Sequence, residues 1–140
     1  MQGPNSILEK EFVASGAITM SAIVKRGSAE DQAVQASAAT DPVYGVAQHD
    51  ASDGDRVRIM LMGISNVVFG GTVNQGDLLV SDANGKAVAA TRHTHTENTA
   101  SSYAQDATTG AGSAQRTIGV AMCDGVLNDI GTVLLCPSFV

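Results

Sequence analysis

The chain has 140 residues, 44% of them hydrophobic and 16% charged, and a formal net charge of −6. Eight basic residues against fourteen acidic ones, with no run of Lys or Arg, exclude a protein that grips a phosphate backbone, which needs clustered positive charge. No stretch approaches the ~18 consecutive apolar residues of a membrane-spanning helix, and no membrane partner is expected.

The length suits one domain with its own core. With no Trp, two Tyr and three Phe, small aliphatic side chains must fill that core, and 15 Gly mark frequent turns. The opening residues Met1–Ser6 lack a basic region followed by an apolar one, so they do not read as a secretory signal. Synthesis and use in a reducing cytoplasm, or in an assembly formed there, is the expectation. Residues 1–15 carry Ile7, Leu8, Phe12 and Val13 behind a Gly-Pro-Asn tip. They read either as an arm that lies on a partner or as a first strand.

From Gly16 onwards the chain alternates short apolar runs with polar turns. Ile18, Ile23 and Val24 are strand-like, Lys25–Asp31 is a turn, and Ala33–Ala36 is a short strand. Thr40-Asp41-Pro42 makes a bend before the strand Val43–Ala47. Asp50–Asp55 is a turn, because Asp-Gly supplies positive φ and Asp caps backbone amides. In Arg56–Met62, Val57, Ile59 and Leu61 take one face and Arg56, Arg58 and Met60 the other. Ile64–Phe69 bridges the halves, Leu78–Val80 is a buried strand, and Asn84-Gly85 closes a hairpin onto Ala87–Ala90. Thr117–Cys123 and Thr132–Cys136 are the last strands. Helix-period patterns are absent, and this spacing predicts an all-β sandwich or barrel of short strands.

Three blocks recur in the same order. Gly16–Val24 matches Gly71–Leu79, Ala33–Ser37 matches Ala87–Thr91, and Gly45–Gln48 matches Gly119–Met122. The reading is one β domain over 16–140, duplicated as halves of about 16–63 and 70–137. The halves differ by an insertion at 92–116 that holds no Val, Ile, Leu, Met or Phe and one aromatic, Tyr103. Such a segment cannot build its own core and is expected to project and order against a neighbouring subunit.

Little in the sequence carries reactive chemistry. In an extended strand His93, His95 and Glu97 share a side and have the donor types for a transition metal. With no fourth ligand in view, a solvated or interface loop is the favoured reading, and neither a metal nor a cofactor is expected. Asp50, Asp53 and Asp55 beside Gly54 do not follow the calcium-loop spacing, which leaves a capped turn. No dinucleotide fingerprint, phosphate-binding loop or nucleophile elbow is present, and the pair His49-Asp50 has no distinguished serine. No catalytic residue is assigned and an enzyme is not expected. A hairpin around Leu127 sets Cys123 opposite residue 131 and Cys136 opposite residue 118. That places them ~17 Å apart, beyond the ~7 Å reach of a disulfide, so two unpaired, mostly buried thiols are expected.

The series Gly45-Val46-Ala47-Gln48, Gly54-Asp55-Arg56-Val57, Gly63-Ile64, Gly70-Gly71, Gln75-Gly76-Asp77-Leu78-Leu79, Gly85-Lys86-Ala87-Val88 and Ile118-Gly119-Val120-Ala121 resembles the capsid cement, or head decoration, proteins of tailed bacteriophages. The resemblance covers about residues 14–91 and 117–137. It implies a β-rich structural protein on the outside of an expanded virion head, bound to the major capsid protein, often as a homotrimer, with no catalytic residues. The insertion at 92–116 departs from that pattern. On this reading Ile7, Leu8, Phe12, Val13 and Tyr103 are the candidate capsid or subunit contacts. The alternative is a β-clip-like module for a sugar or other small ligand.

Overall fold

The computed structural model describes residues 4–91 and 115–139. Over them run β1 (Asn5–Ala14), β2 (Ile23–Arg26), β3 (Gln32–Gln35), β4 (Val43–Ala47), β5 (Arg56–Val68), β6 (Leu78–Ser81), β7 (Ala87–Ala89), β8 (Arg116–Ala121) and β9 (Ile130–Phe139). The fold is all-β, and the described residues contain no helix. The segment read as an arm or a first strand is, over Asn5–Ala14, a strand.

Strand pairing settles the choice between sandwich and barrel. β1 lies parallel to β3, with Val13 opposite Gln32. β3 pairs with β2, β2 with β4, and β4 with β5, all antiparallel. β5 returns to β1, with Val57 opposite Phe12, which closes a five-stranded barrel. β5 is 13 residues long and continues into a second ring. There it pairs with β9, β9 with β8, β8 with β6, and β6 with β7. A parallel bridge from Phe69 to Ala87 closes that ring. Closure satisfies the edge groups of strands as short as three and four residues.

Paired positions recur between the two barrels. Gly45 opposite Val24 corresponds to Gly119 opposite Leu79, and Ala47 opposite Ile59 to Ala121 opposite Val133. The isolated bridge Ile18–Ala51 corresponds to Val73–Gly125. Positive φ recurs at Ser21 and Gly76, Asp31 and Gly85, and Gly54 and Asn128. The copies begin one strand earlier than the sequence match: Phe12–Ala14 takes the place in the first barrel that Val67–Phe69 takes in the second. Ile64–Phe69, read as a bridge between halves, is therefore the first strand of the second barrel.

Each barrel has its own interior. Phe12, Ala14, Ile18, Val24, Ala33, Ala47, Ala51, Val57 and Ile59 fill the first. Val67, Phe69, Val73, Leu79, Ala87, Ala121 and Val133 fill the second. Volume is exchanged between equivalent sites. The first barrel sets Ala14 among Ala51 and Val57; the second sets Phe69 among Gly125 and Gly131. A Cβ on Gly125 would lie 2.6 Å from Phe69 Cε2, and one on Gly131 would lie 2.5 Å from the same atom.

Met60, on the charged side of the β5 alternation, does leave the first barrel's interior. It is nevertheless fully buried, in one cluster with Ile23, Val46 and the second barrel's core. The second barrel covers the outer face of the first at that point. No local pattern announces such burial.

Candidate interaction surface

Most of the exposed large apolar side chains among the described residues lie in two places, with Met20 and Tyr44 apart from both. The larger lies on the second barrel. Leu78 stands opposite Val120, Val120 opposite Leu134, and Leu134 opposite Ile64, a row across four strands. Ile130 lies on the same face of β9 as Leu134, because alternate residues share a side. Met122, Val126 and Leu127 extend the exposed apolar set into the β8–β9 hairpin, and Leu127 is 59% exposed. The hairpin tip is pinned: Asp129 accepts the Val126 amide at 2.9 Å, and Asp124 accepts the Gln75 amide at 2.7 Å. Asn66, opposite Thr132, holds a buried Oδ1 with no hydrogen-bond donor.

The first barrel is the internal control for this face. Gln48, Ser52, Asp53 and Arg56 occupy the positions that Met122, Val126, Leu127 and Ile130 occupy in the second. Glu9 and Glu11 face Arg58 and Arg56 at 3.3 and 3.9 Å, where the second barrel has Ile64, Asn66, Thr132 and Ile130. Exposed pairs of that kind contribute about 1 kcal/mol or less and mark a solvated wall. The same backbone thus tolerates polar residues at these sites, and the second copy carries apolar ones. The expectation of a buried strand holds for Leu79 and Val80 and fails for Leu78, which is 44% exposed on the outward side of β6. Sequence reading passed over Met122, Val126, Leu127, Ile130 and Leu134, and aligning the two copies position by position was the signal that could have found them.

The smaller place is β1. Ile7 is 75% exposed, and Leu8 sits half-exposed opposite Met62. From Asn5 to Phe12 the strand pairs only with β5, because β3 reaches only Val13 and Ala14. Its other edge is open among the described residues. Phe12 and Val13 lie further in. Phe12 is buried and stacked on Tyr44 at 5.2 Å, with the Lys10 ammonium 5.0 Å from its ring, and Val13 is half-buried. Ile7 and Leu8 are therefore surface residues, whereas Phe12 belongs to the barrel core. Tyr103, His93, His95 and Glu97 fall outside the described residues.

The remaining polar candidates serve the scaffold. Asp55 accepts the Ser52 amide at 3.1 Å, the capped turn expected there, whereas Asp50 and Asp53 reach across to the Met20 and Gly16 amides at 2.7 and 2.9 Å and tie two segments together. His49 Nε2 accepts the Arg58 amide at 3.1 Å, so the ring proton lies on Nδ1, 2.9 Å from the Asp50 carbonyl. Both ring nitrogens are occupied by backbone. Among the described residues no three His, Cys, Asp or Glu side chains come together as metal ligands. Cys123 and Cys136 are free, as expected, but the expectation of burial fails for Cys136: it follows Leu135 on the outward side of β9 and is exposed. Asp41 is held below the usual carboxylate range. Burial by itself would raise it, but the Ser37 amide, the Lys25 ammonium at 3.0 Å and the Ala38 amide together outweigh burial.

Tandem closed barrels, backbone-capping carboxylates and exposed apolar faces make this an all-β protein. The phage cement protein family model matches residues 4–122, most of the chain, and the chain belongs to that family. Its role is capsid decoration and its place is the virion; the family is structural rather than enzymatic. The chain is also similar in fold to the crystal structure of the head fiber gp8.5 N base in bacteriophage phi29, with a TM-score of 0.63 and 17% identity over 95% of this chain and 97% of that one. No curated protein matches the chain.

Proposed function

We propose that this protein binds the outer surface of an expanded phage head and stabilises it by bridging neighbouring major capsid protein subunits, as a homotrimer. Membership of the cement family carries the reading. The open edge of β1 supports it. Asn5–Glu11 offers unpaired backbone groups beside Ile7 and Leu8, and a capsid strand can add to such an edge while apolar side chains fix its register. Repetition over a symmetric shell sums weak contacts through avidity.

Co-sedimentation with DNA-free expanded capsids and with unexpanded procapsids tests the proposal. Binding to expanded capsids, weakened by Ile7→Asp/Leu8→Asp, is the expected result. A chain that sediments with neither particle at any salt concentration overturns it.

A further inference from the structure

The duplication supplies an internal precedent for the exposed face of the second barrel. On the outside of the first barrel, Ile23 stands opposite Val46 and Val46 opposite Met60. The equivalent row on the second barrel is Leu78, Val120 and Leu134, joined by the same register. The first row is completely covered. It belongs to one apolar cluster with Ile118, Leu135 and the second barrel's interior. Backbone bonds lock the joint: the Ile23 amide donates to the Gly85 carbonyl and the Arg116 amide to the Ala39 carbonyl, each at 2.8 Å. The second row is open, with Leu78 and Leu134 each 44% exposed.

The receiving side of the joint repeats as well. Ile118 and Leu135, which join the covered row in one cluster, flank Gly119 in the β8–β9 pair. Their equivalents beside Gly45 are Tyr44 and Leu61. Tyr44 is partly exposed and stacked on Phe12, and Leu61 is half-buried, packed on one side against the first barrel's own core. The described residues thus contain one completed joint and, unmatched among them, the two halves of another: a row on the second barrel and a receiving surface on the first.

We infer that Leu78, Val120 and Leu134 of one chain dock on Tyr44 and Leu61 of a second copy, repeating between chains the joint that the barrels make within one. Donor and receiver are different surfaces, so the contact is heterologous, and copies join head to tail into a ring if the rotation closes. A joint between chains must also offset the lost freedom of a separate molecule, which the covalently linked barrels do not face. The apolar border of Met122, Val126, Leu127 and Ile130, polar in the first barrel, supplies that wider contact.

The inference names the contact behind the oligomer in the preceding proposal and rests on that reading only there. Its test uses the free protein without capsids, so the two can fail separately. Light scattering after size exclusion is run on the full chain and on Leu134→Glu, Leu78→Glu and Tyr44→Glu, with far-UV circular dichroism to confirm folding. The wild type is expected to be oligomeric and each variant monomeric. An equimolar mixture of Leu134→Glu and Tyr44→Glu is expected to give a dimer and nothing larger, since one intact row and one intact receiver remain. A wild type that is monomeric at its highest soluble concentration overturns the inference. So does a Leu134→Glu chain that keeps the wild-type mass, or a mixture that forms no dimer. Should Tyr44→Glu not fold, the two row variants decide alone.

Discussion

Substituting Phe69→Ala empties the centre of the second barrel, where the ring is fully buried. Phe→Ala changes in cores cost about 3–5 kcal/mol. Gly131→Val adds three carbons against the same ring, and its Cβ alone would lie 2.5 Å from Phe69 Cε2 and 2.8 Å from Cys123 Sγ. Overpacking of this kind costs about 3 kcal/mol or more when the neighbour cannot retreat. Added independently the two changes reach about 7 kcal/mol, within the range of a whole domain's stability. They are not independent, because the first barrel is built with the paired choice, Ala14 and Val57. In the double variant six ring carbons leave and three return. The deficit of three carbons, at about 0.8 kcal/mol each, leaves a net loss of about 2.5 kcal/mol. The coupling energy is then at least about 3 kcal/mol in favour of the pair. Urea denaturation followed by far-UV circular dichroism measures all four corners of the cycle. A double variant as unstable as the sum of the singles would refute the claim that the copies share one packing plan with volume exchanged between sites.

Gly45→Ala and Gly119→Ala should each lose about 3 kcal/mol, because a Cβ at either site would lie 2.9 Å from the carbonyl carbon of Met60 or Leu134; unequal losses in urea melts would break the equivalence of the barrels. Asp50→Ala and Asp124→Ala remove matching carboxylate-to-amide bonds of 2.7 Å and should lower stability by about 1.5 kcal/mol each, read by thermal unfolding. Asp41 contributes stability that is complete above the unfolded carboxylate value of about 3.9 and is lost as pH falls through its lowered folded value. Asp41→Asn should cost about 1–2 kcal/mol at neutral pH, and its gap from wild type should narrow in acid; a constant gap would contradict the assignment.

Local features made the scaffold legible. Asp-Gly at 53–54 and Asn-Gly at 84–85 marked turns because few residues adopt positive φ, and both glycines do so. The three repeated blocks were visible because they keep small residues that the backbone requires in both copies, such as Gly45 and Gly119 against the facing carbonyls and the buried Ala33 and Ala87. The strand before each block escaped notice, since Phe12-Val13-Ala14 and Val67-Val68-Phe69 solve one packing problem with reversed volumes.

By itself the sequence determined the strand class, the turns, the duplication and the resemblance to cement proteins, all of which rest on residues close together in the chain. Only the tertiary structure decided which apolar residues are surface. Met60 and Leu134 occupy equivalent positions and are equally hydrophobic to a reader of one dimension. One is buried because the second barrel lies over it, and the other is exposed because none of the described residues lies over it. Burial of an outer face depends on how whole barrels meet, which is a property of their arrangement and not of any local pattern.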